Sequence, residues 1–263
     1  MSLETPLRFA LLGRVTVSTG GEPSVLAPGI PCTLLSLLLL HPNQVMSAEQ
    51  LAAAVWGEKR PATASESLRN HVMRLRRLLG AEAGARVRTA APGYLVEVRE
   101  GELDSQVFVD ACQRGQRALE AGAWLDAAGI LSDALALWRG EPFAGLSAGP
   151  GITARIQHLR ETRLLALESR IDAELALGRH QELIGEIRTL LVEHPLREGF
   201  HGQLMLALYR ASRRAEALQV FQELRGSLLD ELGIEPAVTL HDLQRRIIEA
   251  DPGLAARCPT PAG

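Results

Sequence analysis

From Thr63 to Leu79 the chain reads TASESLRNHVMRLRRLL, closed by Gly80. Leu68, Val72, Leu75 and Leu79 recur at spacings of four, three and four, the apolar stripe of an amphipathic helix. At about 100° per residue, the face opposite that stripe carries Glu66, Asn70, Met73 and Arg77. Ser67 and Arg74 lie beside them, with Arg69 and Arg76 on the flanks. Four arginines against a single acid, placed at the N-terminal end, make a face of one sign. Arginine and asparagine pair at two points with guanine and adenine edges in the major groove. Taken alone, the segment equally describes a core helix with a solvated basic face, and its neighbours decide between the two.

Upstream, Ser47 stands three residues ahead of Gln50, a capping box that opens a short helix, and Gly57 closes it. The stretch GEKRPATA joins this helix to the basic one, with Pro61 and Thr63 marking the new start. Two short helices with the arginines on the second describe a helix-turn-helix. Downstream, two β-rich runs between Val87 and Val98 flank Ala90-Ala-Pro-Gly93, the punctuation of a hairpin, and a hairpin after a recognition helix is a wing. In this order, LLSLLLLHPNQVMSAEQLAAAVWG, SLRNHVMRLRRLLG and VRTAAPGYLVEV resemble the winged helix of OmpR-type response regulators. Those regulators usually place a phospho-acceptor receiver domain first. Here the winged helix starts close to residue 1, and no receiver is expected.

Ahead of these helices, residues 7–12, 14–18 and 24–27 read as short strands parted by Gly13 and the turn Thr19-Gly-Gly-Glu22. So small a sheet must pack on the helices that follow. Cys32–His41, rich in leucine, reads as a helix buried on most sides and stopped by Pro42-Asn43. After the wing, Glu100-Gly101-Glu102 reads as a polar joint. From there helices are expected near 105–121, 124–138, 152–177, 180–193, 196–211, 213–232 and 236–250, with a glycine- and proline-rich loop at 141–151. The tail 251–263 lacks periodicity and is expected to fray. ALGRHQELI and YRASRRAEAL align Gly178 with Ser212 and Glu182 with Glu216, both 34 residues apart, the tetratricopeptide period. LEAGAWLDAA at Gly122 resembles an earlier, degenerate copy. Plain helical packing with a chance match is the competing reading. The expected fold is thus an α+β winged helix-turn-helix domain at 1–99, followed by an all-α tetratricopeptide-like domain at 103–250.

WRGEPFAGL, LALGRHQELI, HPLREGFHGQLMLALYRASRRAEAL and LLDELGIEP follow the winged helix in this order and resemble the bacterial transcriptional activation domain. Together the two parts make nearly the full chain similar to the Streptomyces antibiotic regulatory protein family in its small two-domain form. No P-loop of the GxxxxGK(S/T) type occurs, so the ATPase module of the large members is not expected. The resemblance implies an activator of a biosynthetic gene cluster that binds double-stranded DNA at direct repeats near the -35 region, with protomers side by side. It also implies recruitment of RNA polymerase holoenzyme, including sigma region 4, through the helical domain. By resemblance, Asn70, Arg74 and Arg77 enter the major groove, Ser67 suits a phosphate or base contact, and His71 and Arg76 match backbone-contacting positions. Arg88 and Thr89 lie in the wing, whose tip should approach the adjacent minor groove or phosphates. Trp56 matches a position near the backbone, although core packing explains it equally well. Two departures stand out: the stretch from Pro28 to Leu34 and the wing tip Ala90-Ala-Pro-Gly93 carry no charge where family members are often basic.

Charge and composition agree with this division. Residues 1–100 hold 11 basic and 8 acidic side chains, and residues 101–263 hold 17 and 23. Phosphate attracts the first part and repels the second. Apolar content of 46% supports real cores, and aromatics at 4% leave the packing to Leu, Ala and Val. Cys32, Cys112 and Cys258 lie far apart with no CxxC spacing, so each reads as a small buried apolar residue or a free thiol. His41, His71, His158, His180, His194, His201 and His241 are scattered, and none stands at metal-ligand spacing. No cofactor, metal or catalytic residue is expected. No signal peptide or bilayer-spanning run is apparent, so a cytoplasmic protein is expected. An adaptor, with tetratricopeptide-like helices and a winged helix that binds protein in place of DNA, is the alternative reading.

Overall fold

The computed structural model describes residues 7–57, 61, 63–146 and 149–255. Lys59 and Arg60 of the expected connection, and Cys258 with the end of the tail, lie outside the described residues. Packing divides the chain into two compact units, Met1–Cys112 with Asp133–Leu164, and Gln113–Ser132 with Leu165–Gly263. These units cut across the sequence periods, because α4 (Asp104–Glu120), α5 (Trp124–Ala136) and α6 (Pro150–Ala176) each give residues to both.

In the first unit, β1 (Leu7–Ala10), β2 (Thr16–Thr19) and β3 (Ser24–Val25) form an antiparallel sheet in that order. Leu7 stands opposite Thr19 and Ala10 opposite Thr16. Leu7 and Phe9 are buried while Arg8 between them is exposed, the period-two signature of a half-buried strand. The leucine-rich α1 (Ile30–Leu40) is buried from Pro31 to Leu39 apart from Thr33. Both α2 (Ala48–Trp56) and α3 (Ala64–Arg86) pack on it. Ser47 caps α2 as expected: its hydroxyl accepts from Gln50 N, and the Gln50 side chain accepts from Ser47 N.

The wing is a hairpin of β5 (Val87–Ala90) and β6 (Gly93–Val96), and a third strand that the sequence did not announce, β4 (Met46–Ser47), completes the order β4-β6-β5. Gly93 makes that pairing possible, since a Cβ there would lie 1.8 Å from the Met46 carbonyl oxygen. Asn43, at φ 64°, clamps the hairpin's far end. Its Nδ2 donates to Val98 O at 2.8 Å and its Oδ1 accepts from Val98 N at 2.9 Å. The basic helix does not end at Gly80. Gly80 breaks it at φ 77°, and helix resumes to Arg86. Gly84 then rests on the Arg76 carbonyl so closely that a Cβ would stand 2.4 Å from it.

The joint after the wing is also packed. Phe9 N donates to Glu102 O at 2.7 Å, and the Glu102 carboxylate accepts from Arg86 at 2.9 Å and from Arg99 N at 2.7 Å. Asp104 accepts from Leu11 N, Leu12 N and Arg139, and Arg139 also donates to Thr16 Oγ1. Within the loop at 141–151, Phe143 N and Ala144 N bond to Leu11 O and Gly13 O. Segments whose periods belong to the helical region thus close the small N-terminal sheet.

The second unit contains α7 (His180–Glu193), α8 (Glu198–Arg210), α9 (Arg214–Leu232) and α10 (Val238–Ile248). The repeat is written in its turns. Gly122, Gly178 and Ser212 share left-handed φ of 73°, 84° and 62°. At each, the next residue's N–H reaches back five positions: Ala123 to Ala118 at 2.9 Å, Arg179 to Glu174 at 3.1 Å, Arg213 to Leu208 at 2.8 Å. The tail does not fray at once. Asp251 caps a 3-10 turn over Pro252–Leu254, Leu254 is buried, and Arg210 Nε donates to its carbonyl at 2.9 Å. No helix among the described residues is long and apolar enough to cross a membrane.

Candidate nucleic-acid interface

The two faces of α3 are cleanly separated. Leu68, Val72, Leu75 and Leu79 are buried, each contributing about 1.5–3 kcal/mol to folding. Arg69, Asn70, Met73, Arg74 and Arg77 are exposed. Asn70, Met73, Arg74 and Arg77 fall at i, i+3, i+4 and i+7, so they form one stripe on the solvent side. With Leu78 they line a shallow depression. Among the described residues, Arg69, Asn70, Arg74 and Arg77 have no side-chain partner. Arginines elsewhere in the fold are commonly engaged, as in Arg86–Glu102, Arg139–Asp104, Arg197–Glu168 and Arg225–Glu235. The only acid on α3 before the Gly80 break, Glu66, lies in its first turn, where the helix dipole favours it.

The remaining expected site residues have other surroundings. Ser67 and His71 are half-buried, and the His71 ring lies 6.3 Å from the half-buried Trp56 ring. Arg76 reaches across to the wing, where its Nε donates to Val87 O at 2.8 Å and its Nη2 to Thr89 Oγ1 at 2.9 Å. Arg88 pairs with Glu97 at 2.9 Å, with both side chains open to solvent. Asn70, Arg74 and Arg77 are therefore brought together, whereas Arg76 and Thr89 meet each other and Arg88 meets an acid. Arg69 on the flank and Met73 on the face are both exposed, and the sequence alone did not assign either of them to the site. The i, i+3, i+4, i+7 series was the signal for Met73.

The thiols of Cys32 and Cys112 are both pushed up to about 11 by burial, which leaves them protonated and poor nucleophiles at neutral pH. Among the described residues, no three His, Cys, Asp or Glu side chains converge as metal ligands would.

Comparison with known proteins agrees with this architecture. Residues 28–96 match the family described as transcriptional regulatory protein, C terminal, and residues 103–248 match the bacterial transcriptional activator domain. The chain is 42% identical over 254 residues to the regulatory protein AfsR of Streptomyces coelicolor, covering 95% of this chain and 25% of AfsR. It thus spans about a quarter of the AfsR proteins it matches. It is 34% identical to the regulatory protein DnrI of Streptomyces peucetius, covering 94% of each chain. The solved structure of Mycobacterium tuberculosis EmbR in complex with a low affinity phosphopeptide superposes with a TM-score of 0.86 at 32% identity, over 94% of this chain and 66% of that one. With an OmpR-type winged helix followed by a bacterial transcriptional activator domain, the chain belongs to the Streptomyces antibiotic regulatory protein family of transcriptional regulators.

Proposed function

We propose that this regulator is a transcriptional activator that reads duplex DNA with the exposed face of α3. Asn70, Arg74 and Arg77 address base edges in the major groove, Arg69 and the wing address phosphates, and Arg76 holds helix and wing together. The observation that carries this reading is that Asn70, Arg74 and Arg77 share one exposed stripe with no internal partner among the described residues. Free guanidinium and carboxamide groups at helical spacing match the donors and acceptors that guanine and adenine present in that groove. The family extends the reading: protomers sit side by side on direct repeats near the -35 region of a biosynthetic gene cluster. The helical repeat then holds RNA polymerase, including sigma region 4, on a stacked-helix surface suited to protein contact.

The test is a gel shift on promoter DNA with Arg74→Ala and Arg77→Ala. Each loses about 1–3 kcal/mol of binding while melting as the parent does, because both side chains lie off the apolar stripe. Unchanged binding by both variants overturns the assignment.

A further inference from the structure

One member of the α3 stripe is not explained by charge. Met73 sits inside the series, three residues after Asn70 and four before Arg77, and is 53% exposed. It adds little to the core, to which this helix gives Ala64, Leu68, Val72, Leu75, Leu79, Ala83 and Gly84. Its neighbours in the depression are Asn70, Arg74, Arg77 and Leu78. The major groove offers hydrogen-bonding groups on every base pair and one apolar signal, the C5-methyl of thymine. An unbranched thioether with three rotatable bonds adapts to a small apolar knob of that kind. Leu78, 58% exposed, follows Arg77 about 100° round the helix, at the edge of the stripe and not on its centre line.

We propose that Met73 reads the methyl group of a thymine that lies between the base addressed by Asn70 and the guanines addressed by Arg74 and Arg77. This rests on α3 being the recognition helix, and it makes Met73 a specificity-determining residue. The apolar contact distinguishes thymine from cytosine by the C5-methyl itself, a signal that carries no hydrogen-bonding group and that the donors of the arginines therefore do not read.

The full chain is used to select its duplex from a random-sequence library. That duplex is then resynthesised with deoxyuridine in place of each thymine in turn, which removes the methyl and keeps the pairing. The wild-type chain loses about fourfold in affinity at one position, the effect of withdrawing one methyl from an apolar contact. Met73→Ala binds the parent and that substituted duplex equally, Met73→Leu retains the preference, and both melt as the wild type does. Equal binding of the wild type to every substituted duplex overturns the proposal, as does a deoxyuridine penalty that persists undiminished in Met73→Ala. Failure to select any duplex overturns the DNA reading of α3 and this inference with it, whereas selective binding blind to the methyl overturns this inference alone.

Discussion

Arg76 and Arg77 are adjacent in sequence and opposite in use. Arg77 is exposed on α3 and has no partner among the described residues, while Arg76 ties the helix to the Val87 carbonyl and the Thr89 hydroxyl of the wing. Arg76→Ala should therefore lower folding stability by about 1–2 kcal/mol through the lost charge-assisted bonds, measured by denaturant melting, where Arg77→Ala leaves it unchanged. His201 makes a second prediction at this scale. Burial pushes its pKa down, against the opposing pull of the Pro195 carbonyl and of Glu223 and Glu198. The ring is held neutral, with Nε2–H donating to Pro195 O at 2.7 Å and Nδ1 buried without a partner among the described residues. The unfolded chain takes up this proton near pH 6.5 and the folded chain resists it, so the contribution is complete above that pH and falls away below it. The melting temperature should drop between pH 7.5 and 5.5, and Glu or Asp titrations aside, the drop should be smaller in His201→Gln. An equal drop in both proteins would remove His201 as the cause.

At the scale of elements, glycine and its substitutes decide more than apolar content does. Gly93→Ala places a methyl against the Met46 carbonyl, so β4 must part from β6 or the wing must shift, at a cost of about 1–3 kcal/mol. Ser212 occupies the left-handed turn that Gly122 and Gly178 fill without strain. Ser212→Gly should therefore stabilise the chain by about 0.5–1 kcal/mol in thermal melts, and Gly178→Ala should destabilise it. These positions also mark what the sequence could tell. The 34-residue register was legible because Gly178 and Ser212 fall at the same turn, and α3 was legible because Leu68, Val72, Leu75 and Leu79 hold one period. By contrast, β4 has two residues and no alternation, and its Ser47 reads as a helix cap, which it also is. The resumption of helix after Gly80 was hidden because a glycine that breaks a helix looks the same as one that ends it. The closure of the N-terminal sheet was hidden for another reason. Arg139 reaches Thr16 from 123 residues away, a distance at which local pattern carries no signal. In the candidate site, the helix positions were legible from their angles, and the engagement of Arg76 and Arg88 was not, because their partners Val87, Thr89 and Glu97 lie on the hairpin.

For the whole molecule, the distribution of charge sets how it should meet DNA. The front of the chain is only mildly basic, the rear is acidic, and the wing tip from Ala90 to Gly93 is uncharged. The one arginine of the wing strand, Arg88, is paired with Glu97. On the proposed assignment of Asn70, Arg74 and Arg77 to base edges, few cations are left for phosphate: Arg69 on the exposed flank, with Lys59 and Arg60 in the sequence ahead of it. With roughly two to four phosphates neutralised, log K against log salt should fall with a slope of about -2 to -4 for one chain on one site. That slope weakens binding roughly 15- to 250-fold between 50 and 200 mM salt. A duplex with two direct repeats should bind two chains and double the slope, so a second protomer supplies what one lacks. Glu97→Gln frees Arg88 on the wing, and on the proposed docking it should tighten single-site binding and steepen the slope by about 0.9, the signature of one added phosphate contact. Fluorescence anisotropy across a salt series on one-site and two-site duplexes measures all three quantities. A single site with a slope steeper than about -6, untouched by Glu97→Gln, would mean that phosphate is held by a surface other than α3 and the wing.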